Sequence, residues 1–318
     1  MSTVPSELTV EVDTVGAPQQ GAPTPARRVI STLRRSPAVL LSAAFIVFVA
    51  LLAIFAPIHT LITGWGPYDF DPSAINTDLG GIPNGTLGGI SAEHWFGVEP
   101  QNGRDLFSRV AHGARVSMLI AISATLVTIV TGVILGMLAG FFGGWVDQLI
   151  SRVMDFLMAF PALIFMIALL SALPAGNRPV LLVLVLSIFG WPYTARVIRG
   201  QTMSLRNREF VEAARASGAS SVRIVFREVL PNLRGTIIVL ATLAIPGYIG
   251  TEAGLSFLGV GVTPPTPSWG QMIASAVGWY AVDPMFFLIP GTFLFLTVLS
   301  FTVLGDHLKK ALDGRDIA

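Results

Sequence analysis

The chain has 318 residues, of which 53% are apolar and only 12% charged, with a mean hydropathy of +0.70. Soluble domains carry about 25% charged residues, so this composition excludes general disorder and argues against an ordinary water-soluble enzyme. The absence of cysteine excludes disulfides, cysteine-ligated metals and thiol nucleophiles, and a net charge of +1 gives no global attraction to nucleic acid.

Residues 1–26 hold three acids, no base and no apolar period, which reads as a disordered tail. The tail has neither the basic start nor the early apolar core of a secretory signal. Arg27, Arg28, Arg34 and Arg35 follow, so 1–36 is expected to be a cytoplasmic N-terminal tail. A bilayer core needs about 20 consecutive apolar residues as helix. Six segments approach that length: 38–58, 117–142, 153–173, 180–193, 236–258 and 285–304. In lipid, runs of this kind must be helical, because no water is present to satisfy the backbone. The fold class is therefore an all-α integral membrane protein with about six transmembrane helices, occupying residues 37–318. Trp65, Trp95, Trp145, Trp191 and Trp269 fall near expected span ends, where amphipathic rings favour the interface.

Charge sets the orientation. With the N-terminus inside, the tail, 143–152, 196–234 and 305–318 carry sixteen of the twenty basic residues, eighteen of which are Arg. That is the positive-inside asymmetry. The stretch 57–103 has five acids and no Lys or Arg, as expected of an outside loop, which extends over 59–116. A localisation in the cytoplasmic membrane, with both termini inside, follows.

Within the cytoplasmic loop 196–234, Phe210, Ala213, Ala214 and Ser217 recur at i, i+3, i+4, i+7. Gly218 is placed to end that helix in the left-handed region. Ser220 or Ser221 caps a second helix, in which Val222, Val225, Phe226 and Val229 repeat the spacing until Pro231 stops it. Two short helices with an apolar side and an arginine-rich side are too small for a core of their own. The pair must pack on the membrane helices or on a soluble partner. A DNA-binding helix-turn-helix is disfavoured, because the segment is tethered between two spans.

This segment resembles the EAA loop of bacterial ABC importer permeases. Glu212, Ala213 and Ala214 form the triplet, Gly218 follows, and Leu230-Pro231 closes the pattern. Glu228 stands where peptide-transporting members often carry His. The stretch 94–121 resembles the signature before the second span of dipeptide/oligopeptide permease C-type subunits, matching at His94, Gly97, Gly103, Arg104, Asp105, Ser108, Arg109, Gly113 and Arg115. Val98-Glu99 replaces the family's usual Thr-Asp. MDFLMAFP (154–161), TEAGLSFLGVGVTPPTPSWGQM (251–272) and GDHLKKALDGR (305–315) extend the likeness over 36–315.

The resemblance implies a type I (MetI-like) permease fold and one subunit of an ATP-driven importer of di- or oligopeptides, working by alternating access. Related permeases handle nickel chelates, glutathione or other small solutes. Glu212, Ala213, Ala214, Gly218, Leu230 and Pro231 would couple the chain to an ATPase. The implied partners are a second homologous permease subunit, two ATP-binding subunits (or one fused), an external substrate-binding protein and membrane lipid, with no nucleic acid. No GxxxxGK[ST] phosphate loop occurs in the chain, so it is not expected to be an enzyme, and ATP and Mg belong to partners. A secondary transporter or channel would show an internal repeat or several ionisable residues in its spans; neither is visible.

Two acids lie in or beside spans. Asp155, three residues after Arg152, has the spacing of a helix-surface ion pair. Glu252 lies about 24 Å into the fifth span at 1.5 Å per residue. Pro246, Gly247, Gly250 and Gly254 surround it and suggest a broken helix. There Glu252 would meet a peptide ammonium on the substrate pathway, or be satisfied by freed backbone N–H groups. His59, His94, His112 and His307 show no ligand spacing and read as surface or interface residues, so no metal or catalytic site is expected. Gly132, Gly136 and Gly140, at spacing four, signal close helix packing.

Overall fold

The computed structural model describes residues 36–312, residue 175 excepted. The expected tail (1–36) and the end of the GDHLKKALDGR stretch lie almost wholly outside the described residues. In chain order the elements are α1 (Pro37–Thr63), β1 (Ile75–Asn76), β2 (Ile82–Pro83), α2 (Leu106–Phe142), α3 (Gly144–Met158), α4 (Ala162–Ala172) and α5 (Arg178–Leu205). They continue with α6 (Glu209–Ala216), α7 (Ser221–Ile224), a π-helical turn (Val225–Val229), α8 (Leu230–Phe257), α9 (Trp269–Ala276) and α10 (Pro284–Leu312). The strands form one antiparallel two-stranded ribbon.

Among the described residues, five helices are long and apolar enough to cross a membrane: α1, α2, α5, Ser221–Phe257 and α10. The expected third span is a bent pair, α3 and α4, meeting at 85°. Pro161 causes the break, since a proline biases its predecessor, Phe160, away from the helix. The helices also run past the apolar windows. α5 covers 178–205 rather than 180–193, because Asn177 caps its start and Pro179 sits in its first turn. α2 begins at Leu106, where the Asp105 carboxylate accepts from Ser108 N at 2.6 Å. Its 37 residues measure about 55 Å, well beyond a hydrocarbon core of about 30 Å.

The most extensive helix contact joins α2 to α5, and the glycine pattern explains it. A Cβ on Gly132 would lie 2.6 Å from Thr194 Cβ, and one on Gly136 2.6 Å from Ala195 O. One on Gly140 would lie 2.6 Å from Arg199 O. Only hydrogen fits there, so the two helices touch closely along about two turns. α8 packs on α2 and α10, and α1 closes the bundle against α2 and α10. The segment 258–283, containing α9, lies at the bundle end that also carries residues 64–105. We call this the loop end. The opposite end, carrying α6 and α7, is named the coupling end after the role the sequence leads one to expect of it.

The seam predicts a contrast between two helical glycines. Gly136→Ala inserts a methyl against Ala195 O and should destabilise by about 1–3 kcal/mol. Gly247→Ala meets nothing within 4 Å and should leave stability unchanged or raise it by up to about 1 kcal/mol through helix propensity. Thermal unfolding of the purified variants decides; equal midpoints would remove the seam argument.

Candidate functional site

At the coupling end, α6 ends in the turn the sequence calls for. Gly218 has φ +79°, its N–H donates to Arg215 O at 2.9 Å, and Ala219 N donates to Ala214 O at 3.0 Å. Ser220 caps α7 by accepting from Arg223 N. A recess of about 210 Å³ lies in the crease, lined by Ala214, Ser217, Ala219, Arg223, Ile224 and Glu228.

The faces differ from the expected ones. Val211 is buried and Ala214 packs beside it, whereas Phe210, Glu212, Ala213 and Ser217 are exposed. In the second arm Ile224, Val225 and Val229 are buried, while Val222 and Phe226 point out, 63% and 59% exposed. Val225 and Val229 lie inward as the spacing predicts. From Val225 the helix widens into a π turn, in which Leu230 N bonds to Val225 O five residues back, so the apolar period changes phase only from there on. The turn also corrects the reading of Pro231. The proline begins α8 instead of stopping a helix, and Ser221–Phe257 is one continuous rod.

The buried side chains seat this end on the bundle. Val211, Ile224, Val225, Val229 and Leu233 form one cluster with Ile129, Val133, Met137 and Phe141 of α2 and Ile198 of α5. Phe141 is held twice more. Arg206 Nη1 donates to its carbonyl at 3.2 Å, and the Arg215 guanidinium lies 5.6 Å from its ring. Nearby, Arg199 pairs with Asp147 in fork geometry, its Nη2 at 2.7 Å. Asp155 bonds Arg196 at 2.6 Å rather than Arg152, because α5 brings a guanidinium closer than its own helix does.

The loop end carries buried charge. Arg109 is 1% exposed, yet each of its three guanidinium nitrogens is hydrogen-bonded. Nε donates to Glu99, Nη1 to the carbonyls of Pro67 (2.9 Å) and Pro265 (3.2 Å), and Nη2 to Gln271 Oε1 (3.0 Å). One side chain of α2 thus ties down 66–104, the loop after α8, and α9. Beside it, His94 is buried between two carboxylates. Its Nδ1 lies 2.9 Å from Asp105 and its Nε2 3.1 Å from Asp71. This overturns its reading as a surface residue. Burial pushes the Asp71 carboxyl up, but hydrogen bonds from Ser73 and His94 outweigh that and hold it below the usual carboxylate range. Asp283 stands against Gly88 and caps Met285 N, and burial pushes its carboxyl up.

Glu252 is 0% exposed. Its oxygens accept from Ser117 Oγ at 2.8 Å and Ser256 Oγ at 2.7 Å, and Ser117 Oγ in turn accepts from Trp269 N at 3.4 Å. α8 is unbroken through Pro246, so serine hydroxyls, not freed backbone N–H groups, satisfy the carboxylate. In this conformation Glu252 joins α2, α8 and α9 and does not face a mouth. Trp269 and Trp191 are also buried, core residues rather than interfacial ones. Among the described residues, no cluster of three His, Cys, Asp or Glu side chains is placed to hold a metal ion.

The family model described as "Binding-protein-dependent transport system inner membrane component" matches residues 132–315. A second, "N-terminal TM domain of oligopeptide transport permease C", matches 24–80. The chain is 36% identical over 297 residues to the dipeptide transport system permease protein DppC of Alkalihalophilus pseudofirmus, covering 93% of this chain and 92% of that one. It is 37% identical to the oligopeptide transport system permease protein OppC of Bacillus subtilis, covering 85% and 83%. It is 40% identical to the glutathione transport system permease protein GsiD of Pectobacterium atrosepticum, covering 71% and 74%. The methionine ABC transporter MetNI, solved in an inward-facing conformation, superposes with a TM-score of 0.51 at 18% identity over 64% of this chain and 95% of that one, a likeness of fold.

Arg109 yields a prediction. Removing one partner of a buried pair costs about 3–5 kcal/mol. Arg109→Gln should therefore lower the thermal midpoint sharply and speed hydrogen exchange across 66–104. Arg109→Lys restores the charge without the planar fork and should fall between. An Arg109→Gln protein as stable as the wild type would refute this role.

Proposed function

The chain belongs to the family of binding-protein-dependent transport system inner membrane components, and on that premise we propose that it is the permease subunit of an ATP-driven importer of di- and oligopeptides. It is a multi-pass membrane protein. The relatives named for dipeptides, oligopeptides and glutathione all carry peptide-like solutes with charged ends, and that shared chemistry supports the substrate class. A nickel chelate has no such support.

The observation that carries the coupling role is the split of the 209–229 segment. Val211, Ile224, Val225 and Val229 fasten it to α2 and α5, while Phe210, Val222 and Phe226 stay exposed beside Glu212 and Ala213. Exposed apolar side chains on a firmly seated platform suit a docking surface. In the proposed assembly a second homologous permease completes the pathway, and two ATP-binding subunits, or one fused chain, receive this platform and hold ATP and Mg. An external binding protein delivers the peptide. ATP-driven closure of the ATPases moves the platform, and the continuous rod Ser221–Phe257 carries that motion toward the loop end. The basic coupling end faces the cytoplasm. Gly218 and Leu230-Pro231 act as shaping residues: the first turns the chain between the arms, and the second begins α8 behind the π turn.

Two experiments test this reading. At Gly218, φ +79° with nothing within 4 Å of a built Cβ makes the penalty purely conformational. A β-branched residue there costs at least about 1–2 kcal/mol. Gly218→Val should keep normal membrane abundance but uncouple ATP hydrolysis from peptide uptake in the reconstituted complex, and Gly218→Asn should be milder. Wild-type uptake by Gly218→Val would remove the coupling assignment. For orientation, the chain has no native cysteine. Thr86→Cys should react with an impermeant thiol reagent in intact cells, and Ala216→Cys only after permeabilisation. The reverse pattern would invert the topology.

A further inference from the structure

Near the coupling end, α5, α8 and the last turn of α10 enclose a crevice of about 380 Å³, of a size with ligand sites in general (about 300–1,000 Å³). Its part nearest that end is polar: Gln201 of α5, Asn232 and Thr236 of α8, and Lys309 of α10. Gln201 Oε1 accepts from Thr236 Oγ1 at 2.8 Å, and Asn232 Nδ2 donates to the Glu228 carbonyl at 2.6 Å. Among the described residues, the amide N–H pair of Gln201, the second N–H of Asn232 and the Lys309 ammonium remain as donors. No carboxylate lines the crevice, and Asp306, one turn before Lys309, lies outside its lining. Farther in, Val197, Val239, Leu240 and Leu243 take over from the polar groups, with the Tyr193 phenol the one exception. From Asn232 to Leu243 the α8 wall is about 16 Å long at 1.5 Å per residue.

Resting on the orientation that puts the coupling end at the cytoplasmic face, we propose that this crevice holds an anionic phospholipid of the cytoplasmic leaflet. The phosphate lies among Lys309, Asn232 and Gln201, and an acyl chain runs along Val239 and Leu243 toward the middle of the bilayer. Phosphate oxygens are acceptors, which the donor-rich part of the crevice requires, and the cytoplasmic leaflet carries the anionic headgroups. The order of the lining, polar and then aliphatic along one direction, is the order of a lipid. A zwitterionic headgroup brings a cation that finds no acid here. A peptide brings the same mismatch at its ammonium end, and its backbone N–H groups would go unpaired against the aliphatic wall. A free phosphate would leave that wall uncovered. α10 packs chiefly on α1 and α8, so a lipid in this place ties its last turn to α5.

The test uses the assembled transporter in neutral detergent, with dioleoylphosphatidylglycerol as the probe and native mass spectrometry to count the lipid retained. Two single variants are compared, Lys309→Gln and Lys310→Gln. Both lysines are exposed in the last turn of α10, but only Lys309 lines the crevice, so each variant removes one charge from the same surface. Lys309→Gln should weaken binding by about tenfold or more, the loss expected for a hydrogen bond to a charged group. Lys310→Gln should stay within about twofold of the wild type. General attraction to a basic surface would treat the two lysines alike, so equal losses, or no loss in either, overturn the proposal. Dioleoylphosphatidylcholine should bind the wild type more weakly by about tenfold, and equal retention of the two lipids overturns it too. Glycerol 3-phosphate and trialanine, each at the concentration of the lipid, should not displace it. Displacement by the first would reduce the crevice to an anion site and by the second would make it a peptide site, and either result removes the lipid assignment. An inverted cysteine-labelling pattern would instead overturn the orientation on which the proposal rests, whatever lipid is retained.

Discussion

A buried guanidinium cannot be left half-bonded, and the loop end is arranged around that constraint. Stripping a charge of water costs several kcal/mol even after relaxation. Arg109 meets the cost with a carboxylate, two carbonyls and an amide drawn from three separate stretches of chain. Pro67, Glu99 and the 265–271 stretch are far apart in sequence, and the fork geometry of one side chain draws them together. His94 repeats the device at the same end of the bundle, and both of its carboxylates double as caps: Asp105 for α2, Asp71 for the turn at Ser73. Helix termini, ion pairs and loop path are thus one network, in which the loss of one member leaves the others buried without partners.

Deeper in the bundle the constraint changes from charge to volume. Lipid tails give helices no hydrophobic reason to prefer one another, so close association rests on packing and polar contacts. Gly132, Gly136 and Gly140 allow α2 and α5 to touch backbone to backbone, and the Ser117–Glu252–Ser256 bonds tie α2 to α8. At the coupling end a third device appears. Phe141, at the end of the seam, is gripped by Arg206 and Arg215, so the close-packed pair of helices and the 209–229 platform share one contact residue.

What the sequence discloses follows from range. Periodicity and length are local properties, and they reveal the spans, the glycine seam and the turn at Gly218. The span ends were harder to read, because polar residues such as those of 194–205 continue a helix past its apolar window. Bonds between distant segments leave little local trace. Nothing near His94 announces Asp71, twenty-three residues away, and Asp155 looks paired with Arg152 until α5 brings Arg196 within 2.6 Å. Glu252 is the clearest case. Pro246 and three glycines suggest a broken helix with free N–H groups, yet the helix continues, and the hydroxyls of Ser256 one turn along α8 and of Ser117 on α2 satisfy the carboxylate.

The two ends of the molecule thus solve opposite problems. At the loop end Arg109 and His94 find their partners within the chain, which fixes the path of 64–105. At the coupling end the chain anchors its platform with aliphatic side chains and leaves Phe210, Val222 and Phe226 uncovered. Apolar contacts are non-directional and can be remade after a small displacement, whereas the Arg109 network tolerates none. A platform seated on such contacts can tilt against α2 and α5 without breaking a charged bond of its own core. The rod from Ser221 to Phe257 joins the two regimes, entering through the π turn and ending beside Ser256, Glu252 and the fixed frame of the loop end. That single helix links the two ends, and its far terminus is held by buried hydrogen bonds.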